Sequence, residues 1–417
     1  MKFNKSSQLL LVSAASLLAA VLITACGTAT TDFVYVSSAK AAGANSYGEI
    51  NVYEINGVSG SMRQILSSPY PSGGRNPVAE AVSSDYANLY VVNQDDNTIV
   101  QFMIGSDGKL YPQNTVNTPG IFPLAVAVSG TNLFVVDTYQ PLPACSTADP
   151  CPGSVGVFPL HPATTGANPT PSGAPGPTPL TNTATGADYW PLILPSNPKH
   201  IITPTAVNVL KSGADLFVTA YDASVTPNAG YVFGFSIGSS GALTALNGGV
   251  PFAAGVHPSA VASATQTSGT YVYVTDSVNG NVLGYSFASG LLTSLSGSPY
   301  PAGNLPAAIV ADPAYPYVYV ANSTDGNIVA YSISSSGVLT RIGAYTAGIQ
   351  PVAIGIDPST NHFLFTANFT PDGVNGTVTG FELSATAGTL VDTQNSPYPS
   401  NAQPTAVAAV PHGSTTH

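Results

Sequence analysis

Charge is what this sequence has least of. Its 417 residues include 9 Lys and Arg and 20 Asp and Glu, 7% in all, against about 25% in an ordinary soluble domain. With so few cations and a formal net charge of −11, the chain lacks the phosphate-neutralising surface that drives nucleic-acid binding. Apolar residues are not scarce, at 44%, so disorder from high charge and low hydrophobicity is excluded. Tryptophan occurs once and cysteine three times. What the sequence has in quantity is 41 Gly and 36 Pro. Long helices tolerate neither residue well, whereas turn-rich β architectures use both. Composition therefore points to an exported, all-β protein.

Lys2 and Lys5 precede a mostly apolar run over residues 9–25. A basic start, an apolar core and small residues before a cleavage point mark residues 1–25 as a secretory signal. The run closes with Ile23-Thr24-Ala25-Cys26, which resembles a bacterial lipobox. That resemblance implies cleavage before Cys26, acylation of its thiol and new amine, and a tether over 26–32. Several acyl chains on one residue would hold the protein at a membrane of the cell envelope. An ordinary signal peptide, or an uncleaved anchor with Cys26 incidental, is the plainer alternative. No second run of about 20 apolar residues follows. The remaining cysteines, Cys145 and Cys151, lie six positions apart in CSTADPC. Outside the reducing cytosol they are expected to form a local disulfide. Two thiols without a nearby His supply too few ligands for zinc.

A seven-fold repeat organises the rest. A short β-branched and aromatic run starts at Val34, Leu89, Leu133, Leu216, Val272, Val318 and Leu364, spaced about 45–55 residues apart except for one gap of about 83. A second run follows each, with an aromatic in constant register: Tyr53, Phe102, Phe158, Phe235, Tyr285, Tyr331 and Phe381. A Gly-x-Leu segment comes next, clearest at Gly337-Val338-Leu339. A Pro-led run closes the unit, at Pro77, Pro123, Pro204, Pro258, Pro306, Pro351 and Pro404. Four short strands per unit are the signature of a β-propeller blade. The expectation is a seven-bladed propeller over 33–411, with a short tail at 412–417. The first unit lacks a Pro-led strand and the last Pro-led strand lacks a successor. The C-terminal strand should therefore pair beside the N-terminal one and close the ring, leaving no open edge. The long gap predicts a blade-three insertion over about 138–203, with a stretch rich in Pro, Thr and Gly at 161–187.

The Pro-x-Ala-Val strands, the Tyr-Val-Ala-Asn type run and the Ser-Pro-Tyr-Pro connectors at 68–71, 298–301 and 396–399 resemble the lactonase-family seven-bladed propellers. That family includes 6-phosphogluconolactonase-like proteins and borders the Tyr-Val-Thr-Asn surface-layer repeats. The resemblance spans nearly the whole mature chain, but its motifs are strand and turn residues. It implies the fold and, more weakly, hydrolysis of a cyclic ester.

Motifs for chemistry are few. Gly234-Phe235-Ser236-Ile237-Gly238 spells G-x-S-x-G, yet Phe235 is a strand aromatic, and a nucleophile elbow needs a strand-to-helix turn. The six His form no metal-spaced pair, so no metal and no cofactor is expected. Propeller geometry is more informative. Residues just before the Pro-led strands and just after the Val-Tyr-Val runs converge on one rim of the central channel. The first set holds Arg75, Asn76, Phe122, His200, His257, Gln350 and Gln403; the second holds Asn93, Asp137, Asp276, Asn322 and Asn368. Lactone hydrolysis needs a base to activate water and a cation or donors for the oxyanion. Arg75, His257, Asp137 and Asp276 are the candidates for those catalytic roles, with Asn76, Asn93, His200, Asn322, Gln350, Asn368 and Gln403 as ligand-contacting rim. Asn and Asp at strand ends also commonly bond their own turns, and Asn322 and Asn368 suit that role better. Two functions follow. One is an anchored hydrolase of an unphosphorylated lactone, since phosphate recognition wants clustered Arg and Lys. The other is a non-catalytic platform for a glycan, peptide or partner protein. If Cys26 carries the anchor, Cys26→Ser should shift the protein from the membrane fraction to the soluble one and abolish labelling by a fatty-acid precursor. Unchanged fractionation and labelling would contradict lipidation at Cys26.

Overall fold

The computed structural model describes residues 30–412, apart from 43–45, 142–144, 146–149, 162–171, 177, 359–361, 371–375 and 401–402. The signal segment, Cys26 and most of the tether lie outside the described residues, as does most of the tail. Seven antiparallel sheets of four strands, five of them with an added two-residue strand, form the blades. The inner strands of blades two to seven are Pro77–Val82, Ile121–Ser129, Ile202–Val209, Pro258–Gln266, Pro306–Ala311 and Pro351–Ile356. Blade one takes its inner strand, Pro404–Pro411, from the C-terminal end. That strand pairs with Thr30–Ala42, placing Tyr35 opposite Ala408. Each inner strand packs against the next, and Pro404–Pro411 packs against both Pro351–Ile356 and Pro77–Val82, closing the ring.

Each blade is covered on both faces by its neighbours. The second strands Asn88–Asn93, Tyr317–Asn322 and Phe363–Asn368 are therefore buried at every residue, and they read as continuous apolar runs rather than alternating ones. Seven apolar clusters fill the seven interfaces between blades. Surface that would otherwise want Lys or Glu is spent on these contacts.

Hydrogen bonds repeat across the interfaces. The middle tyrosine of a second strand donates to a glycine carbonyl in the next blade: Tyr35 to Gly108 at 3.0 Å, Tyr273 to Gly337 at 2.7 Å and Tyr319 to Gly388 at 3.2 Å, each in a Gly-x-Leu segment, and Tyr90 to Gly173 at 2.6 Å, before Ala174-Pro175. Burial pushes the Tyr273 phenol far above its ordinary range, so it stays a donor. Gly337 is left-handed at φ 81°, and a Cβ there would lie 2.2 Å from the Tyr271 ring; only glycine fits. The Ser-Pro-Tyr-Pro connectors belong to the same framework. Ser68, Ser298 and Ser396 hydroxyls accept the N–H groups of Val52, Gly284 and Gly380 at 2.8, 3.0 and 3.1 Å. Tyr300 and Tyr398 are buried, packing their loops rather than facing a ligand.

Described parts of the stretch 138–203 belong to blade three itself. The stretch holds the blade's third strand, Ser154–His161, and short strands at Ala174–Pro175 and Trp190–Pro191. Cys145 and Cys151 are joined as a disulfide, with Cα atoms 5.4 Å apart. The indole N–H of Trp190 donates to Leu243 of blade four at 2.8 Å. Ser236 lies within the strand Ala229–Ile237 and pairs with Thr244, so it forms no nucleophile elbow.

One inner-strand position breaks the apolar pattern. Val126, Val207, Val261, Ile309, Ile354 and Val407 each pack into an interface, and Glu80 takes the same place in blade two. It accepts the Ser37 hydroxyl of blade one, while its Oε1 is buried without a partner. Burial pushes this carboxyl up to about 8, against the opposing hydrogen bonds from Ser37 and Ala408. The sign follows directly. Between the ordinary value of 4.5 and about pH 8, the unfolded chain ionises Glu80 while the folded one does not, so stability falls as pH rises at up to roughly 1.4 kcal/mol per unit. Glu80→Gln should therefore melt close to the parent at pH 4 and several degrees higher at pH 8; equal melting at pH 8 would contradict this. Tyr273→Phe leaves the Gly337 carbonyl buried and unpaired, and chemical denaturation should show a loss of about 1–3 kcal/mol.

Candidate active site at the channel mouth

The rim is built by a repeated irregularity. Where each inner strand begins, the register slips by one residue against the second strand, as between Pro77 and Ala79 or Pro258 and Ala260. This bulge turns the chain over the channel mouth. The residue before the proline offers its carbonyl to the chain leaving the second strand: Asn76 to the Gln94 N–H, His257 to Ser277, Leu305 to Ser323, Gln350 to Phe369 and Gln403 to Ala39, all at 2.9–3.0 Å. Asn76, Phe122, Leu305 and Gln350 hold positive φ angles of 46–55°, each costing of order 1 kcal/mol or more. Such strain is stored on one rim in four of the seven blades.

Beneath these loops lies a buried polar ring. Asn93, Asp137, Asp276, Asn322 and Asn368 sit opposite the leading prolines near the ends of the second strands and are at most 1% exposed. They hold the loops. Asn93 accepts the Ser72 hydroxyl at 3.0 Å, and the Asn322 amide reaches Ala302 at 3.3 Å and Asn327 at 2.9 Å. The Asn368 amide bonds Ala347, Thr377 and Thr379. Burial pushes the Asp137 carboxyl up to about 7, although it accepts the Gly120 N–H at 3.0 Å. Burial works the same way on Asp276, but the N–H groups of Val256, His257 and Asn279 outweigh it and hold that carboxyl below its ordinary range.

Of the four residues expected to act together, His257 and Asp276 lie side by side, Asp276 Oδ1 accepting the His257 N–H at 3.1 Å, while Arg75 and Asp137 are bonded within their own blades. Arg75 belongs to blade two and His257 to blade five. The Arg75 guanidinium is committed at home, donating to Asp96 at 2.7 Å and to the Asp95 carbonyl at 3.4 Å. Its neighbour Asn76 bonds Gln94 and Asp95. Asp137 and Asp276 sit under their loops rather than on them. Sequence spacing gave the height of each residue on the rim but not its angular place around the ring, and short local partners took the charges.

The structure forms three other local pairings, on blades three to five. In most blades the leading proline pairs with the terminal Asn or Asp, as Pro258 does with Asp276. Blade four extends further: Pro204 pairs with Ala220, and the ladder continues to Ile202 opposite Asp222. The extension lifts His200 and Asp222 above the ring, with His200 Nδ1 2.6 Å from Asp222 Oδ2. Asp222 is buried and also accepts the Ser224 N–H at 2.9 Å, so it is fixed. The His200 side chain remains 30% exposed. Tyr221, on the opposite face of the same strand, stacks on His257 of blade five with ring centroids 4.1 Å apart. Ser277 Oγ lies 3.0 Å from both His257 Nδ1 and its carbonyl oxygen. Phe122 and Tyr139 pack edge to face on blade three. Asp222 escaped the sequence reading because the extra rung puts it two residues beyond the position aligned with Asp276. Among the described residues, no three His, Cys, Asp or Glu gather as a metal site.

Comparison with known proteins agrees with this architecture. The sequence profile of the seven-bladed β-propeller lactonases matches residues 231–408. A Bacteroides fragilis structure, named as a 6-phosphogluconolactonase candidate, superposes with a TM-score of 0.65 at 17% identity, covering 92% of this chain and 99% of that one. The periplasmic gluconolactonase of Pseudomonas aeruginosa superposes with a TM-score of 0.65 at 18% identity, covering 91% and 99%. At such identities the likeness speaks to the fold. No curated protein matches the sequence.

Proposed function

We propose that this lactonase-like propeller is an exported, lipid-anchored hydrolase of small unphosphorylated lactones, with His200 as general base. The observation that carries the reading is the His200–Asp222 pair. A buried carboxylate accepts hydrogen bonds and donates none, so Asp222 holds the proton on Nδ1 and leaves the Nε2 lone pair free on a side chain that is part-exposed. This is the arrangement a base needs to take a proton from water.

The chemistry then runs on this chain's own groups. Nε2 accepts a proton from water as the water oxygen bonds to the lactone carbonyl carbon. The resulting oxyanion needs a donor, and His257 supplies one when the Ser277 hydroxyl bonds its Nδ1 and leaves Nε2–H free. The ring C–O bond breaks, the proton on His200 passes to the departing alkoxide, and a hydroxy acid leaves. Asp222 fixes the ring orientation and balances the transient imidazolium.

The substrate class follows from what the rim lacks. Phosphate recognition wants clustered, uncommitted cations, and Arg75 is bound to Asp96. The Pseudomonas neighbour, a periplasmic gluconolactonase by name, accords with an exported enzyme for an unphosphorylated substrate. On a panel of unphosphorylated lactones, His200→Gln should lower kcat by about 10²–10⁴-fold. Asp222→Asn should lower it by at least tenfold, and Arg75→Ala should leave it within a few-fold, with melting temperatures confirming the fold. Folded parent protein that turns over none of these lactones would overturn the hydrolase reading in favour of a binding platform.

A further inference from the structure

Beside His257 the rim opens into a groove of about 310 Å³ between blades five and six, lined by Ser277, Val278, Asn279, Pro301, Asn304 and Leu305. Val278 and Leu305 are 64% and 49% exposed, and Ile349 continues the line on blade seven at 62%. Exposed apolar side chains scattered singly need no explanation. These three instead occupy consecutive blades on one rim, and two of them line one groove.

The groove is joined to the catalytic arrangement through two shared residues. Ser277 lines it and bonds His257. Asn279 lines it and donates to Asp276 Oδ2 at 2.7 Å, the carboxylate whose Oδ1 accepts the His257 N–H at 3.1 Å. Its polar side chains are already occupied, since Asn304 donates to Asp325 at 2.7 Å. No Lys or Arg lines it, so it offers nothing to an anionic substituent. What remains for a ligand is the methyl surface of Val278 and Leu305 and the ring of Pro301.

We infer that this groove is a substituent subsite, and that the preferred lactones carry an aliphatic chain of roughly four to eight carbons on the ring. The inference rests on the channel mouth being the active site and adds the substrate class. A chain lying along Val278 and Leu305 places the lactone ring over Ser277 and His257. Each methylene taken from water into such a groove is worth about a fourfold gain in binding. A bare lactone ring carries no chain to lie along Val278 and Leu305.

The test uses the mature protein with labelled valine and leucine methyl groups, titrated with γ-octalactone and with γ-butyrolactone. The Val278 and Leu305 methyl resonances should shift and saturate with octalactone and stay still with butyrolactone. In turnover, kcat/KM should climb about fourfold per added methylene until the groove is full, and Leu305→Asp or Val278→Asp should flatten that series. Methyl resonances unmoved by octalactone, or a flat series in the parent protein, would overturn the subsite. Repeating the titration on His200→Gln separates the two readings. Saturating methyl shifts with no turnover even in the parent protein would sink the hydrolase reading and keep the groove, whereas turnover without methyl shifts would do the reverse.

Discussion

Every blade depends on its neighbours for both of its faces. A second strand such as Tyr317–Asn322 has no solvent side, so its apolar residues and the Tyr319 phenol must all be satisfied by adjacent sheets. The phenol shows the constraint most sharply. Tyr319 is fully buried and its hydroxyl is met by a glycine carbonyl in the next blade, so both its burial and its hydrogen bond depend on that neighbour. This dependence makes the ring all-or-none, and it explains why the last strand must return to the first. It also accounts for the low charge. Strands buried on both faces hold few Lys or Glu, and Glu80 sits in an interface with an oxygen unpaired.

The same constraint decides where function can sit. Residues in the blades are committed to packing, and the polar groups at the strand ends are committed to their loops. Only positions raised above that polar ring remain free to meet a ligand. Blade four provides them by one extra rung of ladder, which lifts His200 while its partner Asp222 stays buried. Blade five adds His257, braced by Tyr221 and Ser277. The channel mouth is thus uneven. Blades three to six present aromatic, imidazole and apolar groups, whereas blade two presents an ion pair already satisfied between Arg75 and Asp96.

How much of this was legible in the sequence differs by level. The blades, their phase and the ring closure were readable because strand and turn chemistry repeats seven times, and repetition survives substitution. The third strand inside 138–203 was marked only by Phe158, since the surrounding Pro and Thr obscure the pattern. At the mouth, His200 and His257 were recognisable as rim residues, but their partners were not. Pairing there depends on angular position and on a two-residue extension that shifts Asp222 out of alignment. Arg75 was attractive because cations are rare in this chain, and that rarity carries no information about distance. Glu80 went unseen because one carboxylate in a short strand gives no periodic signal.

The central functional claim is that Asp222 holds His200 in one tautomer with Nε2 free to take a proton. Nitrogen-15 NMR of the imidazoles in the intact protein tests it most directly. The account predicts that neutral His200 carries its proton on Nδ1 and that this preference is lost in Asp222→Asn. A His200 that exchanges freely between tautomers in the parent protein, or that protonates Nε2 when neutral, would contradict it.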